Sequence, residues 1–510
     1  MKKFLQKAWH PLLIGLYPIL LLFANNQNEI AVNILWRPLV IALSLAGLLC
    51  LVLRLITHNW QKAGLLTSWI LILFYAYGHI YSYLKAYKPL AMLGRHRVLL
   101  IIWGILFVGG SILILRLKAL KGWTLILNAV SVFLIIMSLI QISSFMIRRT
   151  INARKYQPDI NAKVILSKPD NPPDIYYIIL DSYARQDVLI DKYQFDNSAF
   201  IQALGDMGFY VADCSRSNYV QTELSLPSSL NYAYLDELLE EINPTSTDRA
   251  PLRVLLEQSV VQQQLVDIGY ETVAFQTGFD WSTLTNVDYY FEPSGSNFTS
   301  AFMRPFESML LDTTFIRAIS DSAMKLLPGD SAISTHPQAE HIERQLYILD
   351  KLAELPQMPG PQFIFVHLIT PHPPFVFGPG GVKEIQQIDN QDADTDPDLG
   401  YLDQVRYANE RMLPILQTLI DDSDVPPIII LQADHGWLKN RPCILNAYYF
   451  PDGKQSYLYE NISPVNTFRV VFNAYFGTNL PLLEEISYYS RYATPFKFSV
   501  FEEPYPACKE

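Results

Sequence analysis

The sequence predicts a protein in two parts: an N-terminal bundle of about five transmembrane helices, and an α/β domain whose largely parallel central sheet is covered by helices on both faces. Two observations predict this fold class. Apolar residues are concentrated in the first third of the 510-residue chain, whereas the remainder has the composition of a globular domain in water. In that remainder, short β-rich apolar runs alternate with stretches of helical periodicity, which is typical of a parallel sheet.

The N-terminal region contains five apolar stretches, several of them long enough to cross a hydrocarbon core of about 30 Å. They occupy residues 11–24, 36–56, 64–84, 98–117 and 122–146. The first stretch is the weakest, and a cleavable signal peptide begins similarly, with lysines before a short apolar run. No small-residue cleavage motif follows it, so we predict a retained helix. Residues 1–150 are therefore predicted to form the transmembrane domain.

The charges that flank the spans leave their orientation open. An odd number of spans places the two termini on opposite sides of the membrane, but basic residues lie at both sets of span ends. These residues are expected either to touch lipid head groups or to act as anchors whose side chains reach the interface. The formal net charge of −10 excludes the broad basic surface that nucleic-acid binding requires.

The cysteines leave the disulfide pattern open. Cys50 lies in a predicted span, which leaves three cysteines in the soluble part and allows one disulfide there at most. A bridge between Cys214 and Cys443 and free thiols are both compatible with this pattern.

A polar linker is predicted to separate the two parts, because residues 151–173 contain four prolines. The soluble domain is then predicted to span residues 174–510. Its candidate buried strands lie at 175–180, 272–276, 363–368 and 428–431, and helical stretches at 252–266, 339–355 and 401–419 separate them. The segment 378–399 is rich in Gly, Asp and Gln, and we expect a mobile surface loop that borders the site.

Metal-ligand residue types directly follow two of the predicted strands. Asp181 follows the first strand, and the pair Asp434 and His435 follows the last. The carboxyl ends of parallel strands share one edge of a sheet, so we expect these side chains to converge. Taken singly, an Asp after a strand often caps a helix, and an Asp-His pair is often structural. Their joint occurrence predicts one metal site, and carboxylate and imidazole ligands suit Zn²⁺ or Mn²⁺.

A candidate nucleophile, Thr222, lies in the hydroxyl-rich segment 218–229, which is predicted to open a helix. The positive end of that helix and a nearby divalent cation would lower the pKa of the Thr222 hydroxyl. Backbone N–H groups at the same end can hold a phosphate. The alternative is that Thr222 only caps the helix.

These motifs resemble those of the alkaline phosphatase superfamily, and within it those of the membrane-anchored lipoteichoic acid synthases and lipid A phosphoethanolamine transferases. In these families an acidic ligand follows the first strand, as Asp181 does in Ile-Ile-Leu-Asp-Ser. A Thr nucleophile begins a Thr-x-x-Ser-x-Pro segment, as at 222–227, and an Asp-His pair follows, as at Asp434 and His435. The resemblance covers residues 174–480 and implies an alkaline-phosphatase-like soluble domain.

The resemblance also implies a set of site residues. Asp181, Thr222, Asp434 and His435 would hold one divalent metal, Zn or Mn, and Thr222 would be transiently phosphorylated. His372, in Thr-Pro-His-Pro-Pro-Phe, matches a His-x-Pro-Phe/Tyr segment whose His contacts the substrate phosphate. It is therefore a candidate for phosphate binding or for protonation of the leaving group.

Two further residues have weaker signals. The run Phe279-Asp280-Trp281 after the second strand resembles the aromatic and acidic substrate pocket of lipoteichoic acid synthases, which makes Trp281 a candidate for substrate binding. The alternative is that Trp281 is a core residue. His367 lies within a predicted strand, and we expect a buried histidine whose ring is hydrogen-bonded, although two-metal members of the superfamily use extra histidines.

The family plan implies an orientation and an activity. Five spans followed by an extracytoplasmic catalytic domain correspond to a multi-pass protein of a bacterial-type plasma membrane. The implied activity is transfer of a phosphoethanolamine or phosphoglycerol head group from a membrane phospholipid to an envelope glycan or lipid through phospho-Thr222. Ser228 stands where many phosphoethanolamine transferases have a cysteine, so the substrate class stays open. The oligomeric state is open as well.

Other activities are also compatible with this fold. Water in place of the glycan would make the protein a phosphatase or phosphodiesterase, and loss of activity would leave an inactive envelope scaffold. The four intact site residues argue against a scaffold. A true sulfatase needs a Cys/Ser-x-Pro-x-Arg motif, and residues 225–229 contain the Pro but lack the Arg.

Overall fold

The computed structural model describes residues 7–27, 32–87, 90, 92–155, 164–279, 281–293, 305–323, 338–384, 388, 397–438 and 441–501. The chain folds into two compact units. The bundle unit comprises Met1–Ile147 and Asn297–Pro337. The α/β unit comprises Arg148–Ser296 and Gln338–Glu510.

The bundle unit is built on apolar helices at the positions that the sequence predicts. They are α1 His10–Asn25, α2 Trp36–Thr57, α3 Trp60–Ala86, α4 His96–Arg116 and α5 Leu120–Lys155. Helices α2 to α5 are long and apolar enough to cross a membrane, and α1 is a shorter apolar helix. Apolar side chains of α2 and α4 lie mostly on the outside of the unit, as expected for helices whose solvent is lipid. The prediction of about five spans, with the first the weakest, is confirmed.

The α/β unit alternates strands and helices along the chain. Its strands are β1 Ile175–Leu180, β2 Tyr210–Val211, β3 Glu271–Phe275, β4 Tyr289–Phe291, β5 Gln362–Leu368, β6 Phe377–Gly378, β7 Gly381–Val382, β8 Ile428–Gln432, β9 Asn446–Tyr449, β10 Tyr488–Arg491 and β11 Thr494–Val500. The remaining α-helices of the described residues are α6 Gln186–Tyr193, α7 Ser198–Asp206, α8 Thr222–Leu230, α9 Leu235–Leu238, α10 Ala250–Glu257, α11 Val260–Asp267, α12 Pro305–Asp312, α13 Ile316–Ala323, α14 Ala339–Leu352, α15 Pro397–Asp421 and α16 Pro464–Tyr475. Helices α12 and α13 belong to the bundle unit.

A seven-stranded sheet in the order β2-β9-β8-β1-β5-β3-β4 forms the centre of the α/β unit. The strands from β8 to β4 in this order are parallel, whereas β9 is antiparallel to both of its neighbours. Every residue of β1, β5 and β8 is buried, which requires cover on both faces of the sheet. The predicted fold class is therefore confirmed, and β1 lies at the centre between β5 and β8.

Several predicted elements differ from the structure in detail. The predicted helix at 252–266 is two helices, α10 and α11, because Ser259 caps a new helix: its hydroxyl accepts a hydrogen bond from the Gln262 N–H at 3.4 Å. Strands β2, β4 and β9 were not predicted, because they are short and lie toward the two edges of the sheet. The predicted loop 378–399 begins within a hairpin of β6 and β7, and most of its remainder lies outside the described residues.

The proposed bridge between Cys214 and Cys443 does not form. Cys443 is a buried free thiol, whereas Cys214 is disulfide-bonded. The number of cysteines does not show which of them lie close together in the fold, because the pairing of cysteines depends on tertiary contacts.

Helices α12 and α13 pack among the membrane helices of the bundle unit. The Phe306 ring lies 6.5 Å from the ring of Phe23, and the Glu307 carboxylate lies 3.4 Å from the Arg37 guanidinium. In α13, the Asp321 carboxylate lies 2.9 Å from the His96 ring. The contacted residues lie near the end of α1 and at the beginnings of α2 and α4, so they mark one end of the bundle. A segment between β4 and α14 thus belongs to the membrane helices rather than to the sheet.

Gly78 lets the backbone of this segment approach α3 closely. The Gly78 N–H donates a hydrogen bond to the Thr313 carbonyl at 2.9 Å, and the Phe315 N–H donates to the Phe74 carbonyl at 2.8 Å. A Cβ at Gly78 would lie 2.0 Å from the Asp312 carbonyl oxygen, so only glycine fits at this position. Backbone contact at Gly78 therefore anchors the turn between α12 and α13.

We expect Gly78→Ala to loosen α12 and α13 from the bundle. The added methyl group has no space, and overpacking of this kind costs about 1–3 kcal/mol. Hydrogen exchange of the full-length protein in detergent would show this as a matching fall in the opening free energy of amides in residues 305–323.

Gly109→Ala on α4 is the matched control, because a Cβ at that position meets no atom within 4 Å. Equal exchange rates in the two variants would contradict the close approach at Gly78.

Candidate active site

Asp181, Asp434 and His435 converge at one edge of the sheet. Asp181 directly follows β1, and Asp434 lies two residues beyond β8, which pairs with β1 in parallel. One ligand atom from each of the three side chains lies within 4.8 Å of the other two. All three residues are buried, with exposed fractions of 3% or less. The spacing and the burial are those of a site for one metal ion.

The hydrogen bonds of the two carboxylates leave one oxygen of each free. The Asp181 Oδ1 atom accepts from the Ser182 hydroxyl at 3.0 Å. The Asp434 Oδ1 atom accepts from the backbone N–H groups of Ser182 at 3.1 Å and of His435 at 2.9 Å. Neither Oδ2 atom has a hydrogen-bond partner among the residues that the structure describes. Buried carboxylate oxygens without donors are costly, and a divalent cation would satisfy both.

Burial and mutual repulsion also favour a cation between the carboxylates. Burial, and then the Asp434 carboxylate, raise the pKa of Asp181 well above its usual range. Burial acts in the same direction on Asp434, but the nearby His435 and His367 rings and the Ser182 N–H that bonds its Oδ1 atom act the other way, and the pKa of Asp434 lies below its usual range. Two carboxylates so close ionise together only when a positive charge compensates them. The residues present therefore fit a divalent metal.

The His435 ring is held in the orientation that a metal ligand requires. Its Nδ1 atom lies 2.9 Å from the Gly436 carbonyl, to which it donates, so the lone pair is on Nε2. That Nε2 atom lies 3.8 Å from Asp181 Oδ1 and 3.6 Å from Asp434 Oδ2. Burial lowers the pKa of His435 to about 4, which keeps the imidazole neutral and able to bind a cation.

The Thr222 hydroxyl lies beside these ligands. Helix α8 begins at Thr222, and the residue before it, Gln221, occupies the cap position without a side-chain cap hydrogen bond. The Thr222 Oγ1 atom lies 3.3 Å from His435 Nε2, so the hydroxyl is directed at the cluster instead of capping the helix. Ser225, one turn further along α8, is buried, and its hydroxyl lies 3.4 Å from that of Ser217.

His372 and Trp281 lie at the border of this cluster. The backbone N–H of His372 donates to the Asp181 carbonyl at 3.1 Å, and the ring Nδ1 atom of His372 lies 2.7 Å from the Pro373 carbonyl. Burial lowers the pKa of His372. The Trp281 ring is half-buried and meets the His367 ring edge-on at 5.8 Å.

His367 is not the hydrogen-bonded histidine that we predicted. It is fully buried in β5, but neither ring nitrogen has a hydrogen-bond partner within the described part of the chain. Its Nε2 atom lies 3.6 Å from Asp181 Oδ2, the oxygen that also lacks a partner. The prediction is wrong because the ring faces the metal-ligand cluster rather than a polar group of the core.

Two residues that the sequence analysis did not single out also act on the cluster. The Arg441 guanidinium donates to the Val220 carbonyl at 2.6 Å. Burial raises the pKa of Asp181, and the positive charge of Arg441 opposes that rise in part. Burial lowers the pKa of His435, and the charge of Arg441 acts in the same direction. Ser182 bonds both carboxylates and has a φ of 66°, a conformation that is costly for a non-glycine residue. The available signal was a basic residue shortly after the Asp-His pair and a hydroxyl next to Asp181.

A family model described as Sulfatase matches residues 173–468, more than half of the chain. No curated protein sequence matches the chain significantly.

Several solved structures are similar to this chain at low identity. The C-terminal periplasmic domain of EcEptC from Escherichia coli is 13% identical, with a TM-score of 0.40, and the match covers 65% of this chain and 94% of that one. Lipooligosaccharide phosphoethanolamine transferase A from Neisseria meningitidis is 11% identical, with a TM-score of 0.39 and coverage of 92% and 95%. The phosphonate monoester hydrolase of Agrobacterium radiobacter is 12% identical, with a TM-score of 0.39 and coverage of 62% and 80%.

The matched range contains β1, α8 and β8 and all four of the clustered site residues, which lie at the beginning of α8 and just beyond the two strands. It begins one residue before Asp174, where the soluble domain was predicted to start, and it ends within α16. The chain therefore belongs to the sulfatase family, within the alkaline phosphatase superfamily of enzymes.

Proposed function

We propose that this chain is a membrane-anchored, metal-dependent phosphotransferase that forms a phospho-Thr222 intermediate. It would move a phosphoethanolamine or phosphoglycerol head group from a membrane phospholipid to an envelope glycan or lipid. The observation that carries the proposal is the Thr222 hydroxyl, 3.3 Å from His435 Nε2 at the beginning of α8. A hydroxyl so placed is a nucleophile beside a cation site rather than a structural group.

Asp181, Thr222, Asp434 and His435 would hold one divalent cation, Zn or Mn. When bound, that cation would supply positive charge to stabilise the Thr222 alkoxide and the phosphoryl oxygens. The half-buried Arg441 guanidinium would add a second positive charge for the phosphoryl group. Trp281, at the edge of the cluster, would contact the substrate.

The reaction would proceed in two steps. First, Thr222 Oγ1 bonds to the phosphorus of the lipid, the bond from phosphorus to the glycerol oxygen breaks, and diacylglycerol leaves. His372, kept neutral by burial, takes the Thr222 proton and delivers it to the departing oxygen. Second, an acceptor hydroxyl bonds to the same phosphorus, the bond to Thr222 breaks, and the acceptor proton returns to Thr222 through His372.

The membrane helices support a lipid as the donor, because attachment to the bilayer raises the local lipid concentration. We propose residues 1–150 as the membrane domain, 151–173 as a linker and 174–510 as the catalytic domain. This catalytic domain would lie outside a bacterial-type plasma membrane. The disulfide at Cys214 supports an oxidising compartment for it.

A phosphatase or phosphodiesterase is the second candidate, and His367 favours it. Its ring nitrogens have no partner among the described residues, and one faces Asp181 Oδ2 at 3.6 Å. Two-metal hydrolases need extra histidine ligands of this kind. Sulfate-ester hydrolysis is not proposed, because the segment from Ser225 to Ser229 lacks the required Arg.

Thr222→Ala should abolish turnover, with a loss on the order of 10⁴-fold or more, because it removes the nucleophile. Ser225→Ala is the matched control on the same helix and should lose less than about tenfold, since its hydroxyl faces Ser217. The measurement is the intact mass of the full-length protein after incubation with phosphatidylethanolamine or phosphatidylglycerol.

A head-group adduct on wild type and on Ser225→Ala, absent from Thr222→Ala, is the expected result, and its mass identifies the head group. Release of head group or phosphate without an adduct would instead favour the hydrolase. Equal loss of activity in both variants would contradict the assignment of Thr222.

Metal analysis of the purified full-length protein should give one Zn or Mn per chain. Asp181→Asn and Asp434→Asn should lose the metal, because each removes an anionic ligand. Asp187→Asn should keep it, since the Asp187 carboxylate pairs with Arg185 at 2.7 Å. Two metals per chain, falling to one in His367→Gln, would favour the hydrolase over the one-metal transferase.

Arg441→Met should lower kcat/KM by about 10²- to 10³-fold, because a charged donor to the transferring phosphoryl group is lost. Metal content should not change. Arg469→Met is the control, as the Arg469 guanidinium likewise bonds backbone carbonyls but belongs to α16. Similar values of kcat/KM in the two variants would contradict the role of Arg441 in the active site.

A further inference from the structure

A cavity of about 780 Å³ lies at the end of the bundle opposite to the contacts with α12 and α13. It is lined by the beginning of α1, the end of α2 and the beginning of α3, including Lys7, Arg54, His58 and Trp60. We propose that this basal cavity binds the phosphate of an anionic phospholipid. The site would act in addition to the catalytic site.

The lining of the basal cavity is cationic and has no internal counter-charge. Lys7 and Arg54 contribute positive charges, and none of the residues around the cavity is acidic. In addition, residues 7–27, 32–87, 90 and 92–155 contain no Asp or Glu. The Arg54 Nε atom is buried and has no hydrogen-bond partner in the described part of the chain. This lining is therefore suited to a bound anion.

Local structure holds these donors toward the cavity. The Arg54 guanidinium lies 5.6 Å from the centre of the Trp60 ring, a cation–π contact that limits its freedom. Helix α3 begins beside the cavity, and Asn59 caps it by accepting from the N–H groups of Gln61 and Lys62. The positive end of this 27-residue helix adds to the potential felt by an anion.

The rest of the lining is apolar, which favours a lipid over a soluble anion. Pro11, Leu12, Gly47 and Cys50 form this part of the wall, and they come from the apolar helices α1 and α2. Gly47 leaves open space, because a Cβ there would meet no atom within 4 Å. A lipid could place its phosphate beside Lys7 and Arg54 and one acyl chain along the apolar wall. Basic pockets between membrane helices bind anionic head groups in this way.

The test is native mass spectrometry of the full-length protein released from micelles that contain phosphatidylglycerol or phosphatidylcholine. We expect wild type to retain one phosphatidylglycerol and to retain phosphatidylcholine about tenfold less. The double variant Lys7→Gln/Arg54→Gln should lose phosphatidylglycerol about tenfold or more. Lys118→Gln is the matched control, because it removes a charge between α4 and α5 that does not line the cavity.

Gly47→Leu tests the same site without changing any charge, since its side chain fills the open space. It should also lose the lipid, whereas Gly104→Leu, at an equally open position of α4, should keep it. Equal retention in Gly47→Leu and Gly104→Leu would overturn the proposal. Displacement of the lipid by millimolar inorganic phosphate would overturn it as well, because the ligand would then be a soluble anion.

Discussion

Two buried carboxylates at adjacent strand ends are the constraint on which the rest of the α/β unit depends. Asp181 and Asp434 are almost completely buried, and one oxygen of each has no donor among the described residues. Such a pair is unfavourable without a compensating cation. Ser182 and the Gly436 carbonyl take up the other polar atoms, so the free oxygens and His435 Nε2 are left facing one another. These unpaired buried oxygens lower the stability of the metal-free protein, and a bound metal would restore that stability.

The sequence carried enough information to predict the centre of this arrangement. Strands β1 and β8 are uninterrupted apolar runs that end at Asp181 and next to Asp434, so both the strands and the ligands are visible locally. Thr222 could also be placed at the beginning of a helix from the local sequence, because it lies in the hydroxyl-rich segment 218–229. Parallel pairing then brings the strand ends together, which is a general property of α/β sheets.

What the sequence did not reveal depends on contacts between distant segments. Nothing near His367 shows that its ring faces Asp181, and nothing near Arg441 shows that it reaches the carbonyl of Val220. The break between α10 and α11 was visible in principle, but a serine cap was outweighed by continuous helical periodicity. The segment 305–323 has ordinary amphipathic helices, and only its tertiary contacts, among them the fit of Gly78 to its backbone, show that it belongs to the bundle unit.

The path of the chain bears on the proposed use of a lipid substrate. The chain passes between the two units at residues 147–148, 296–297 and 337–338. A domain on a single flexible linker explores a volume that grows with the length of the linker. Its effective concentration at the membrane surface falls accordingly. Here the chain passes between the units three times, and the backbone contact at Gly78 holds residues 305–323, between two of these passages, within the bundle unit. This connectivity is consistent with our proposal of a lipid donor that stays in the bilayer.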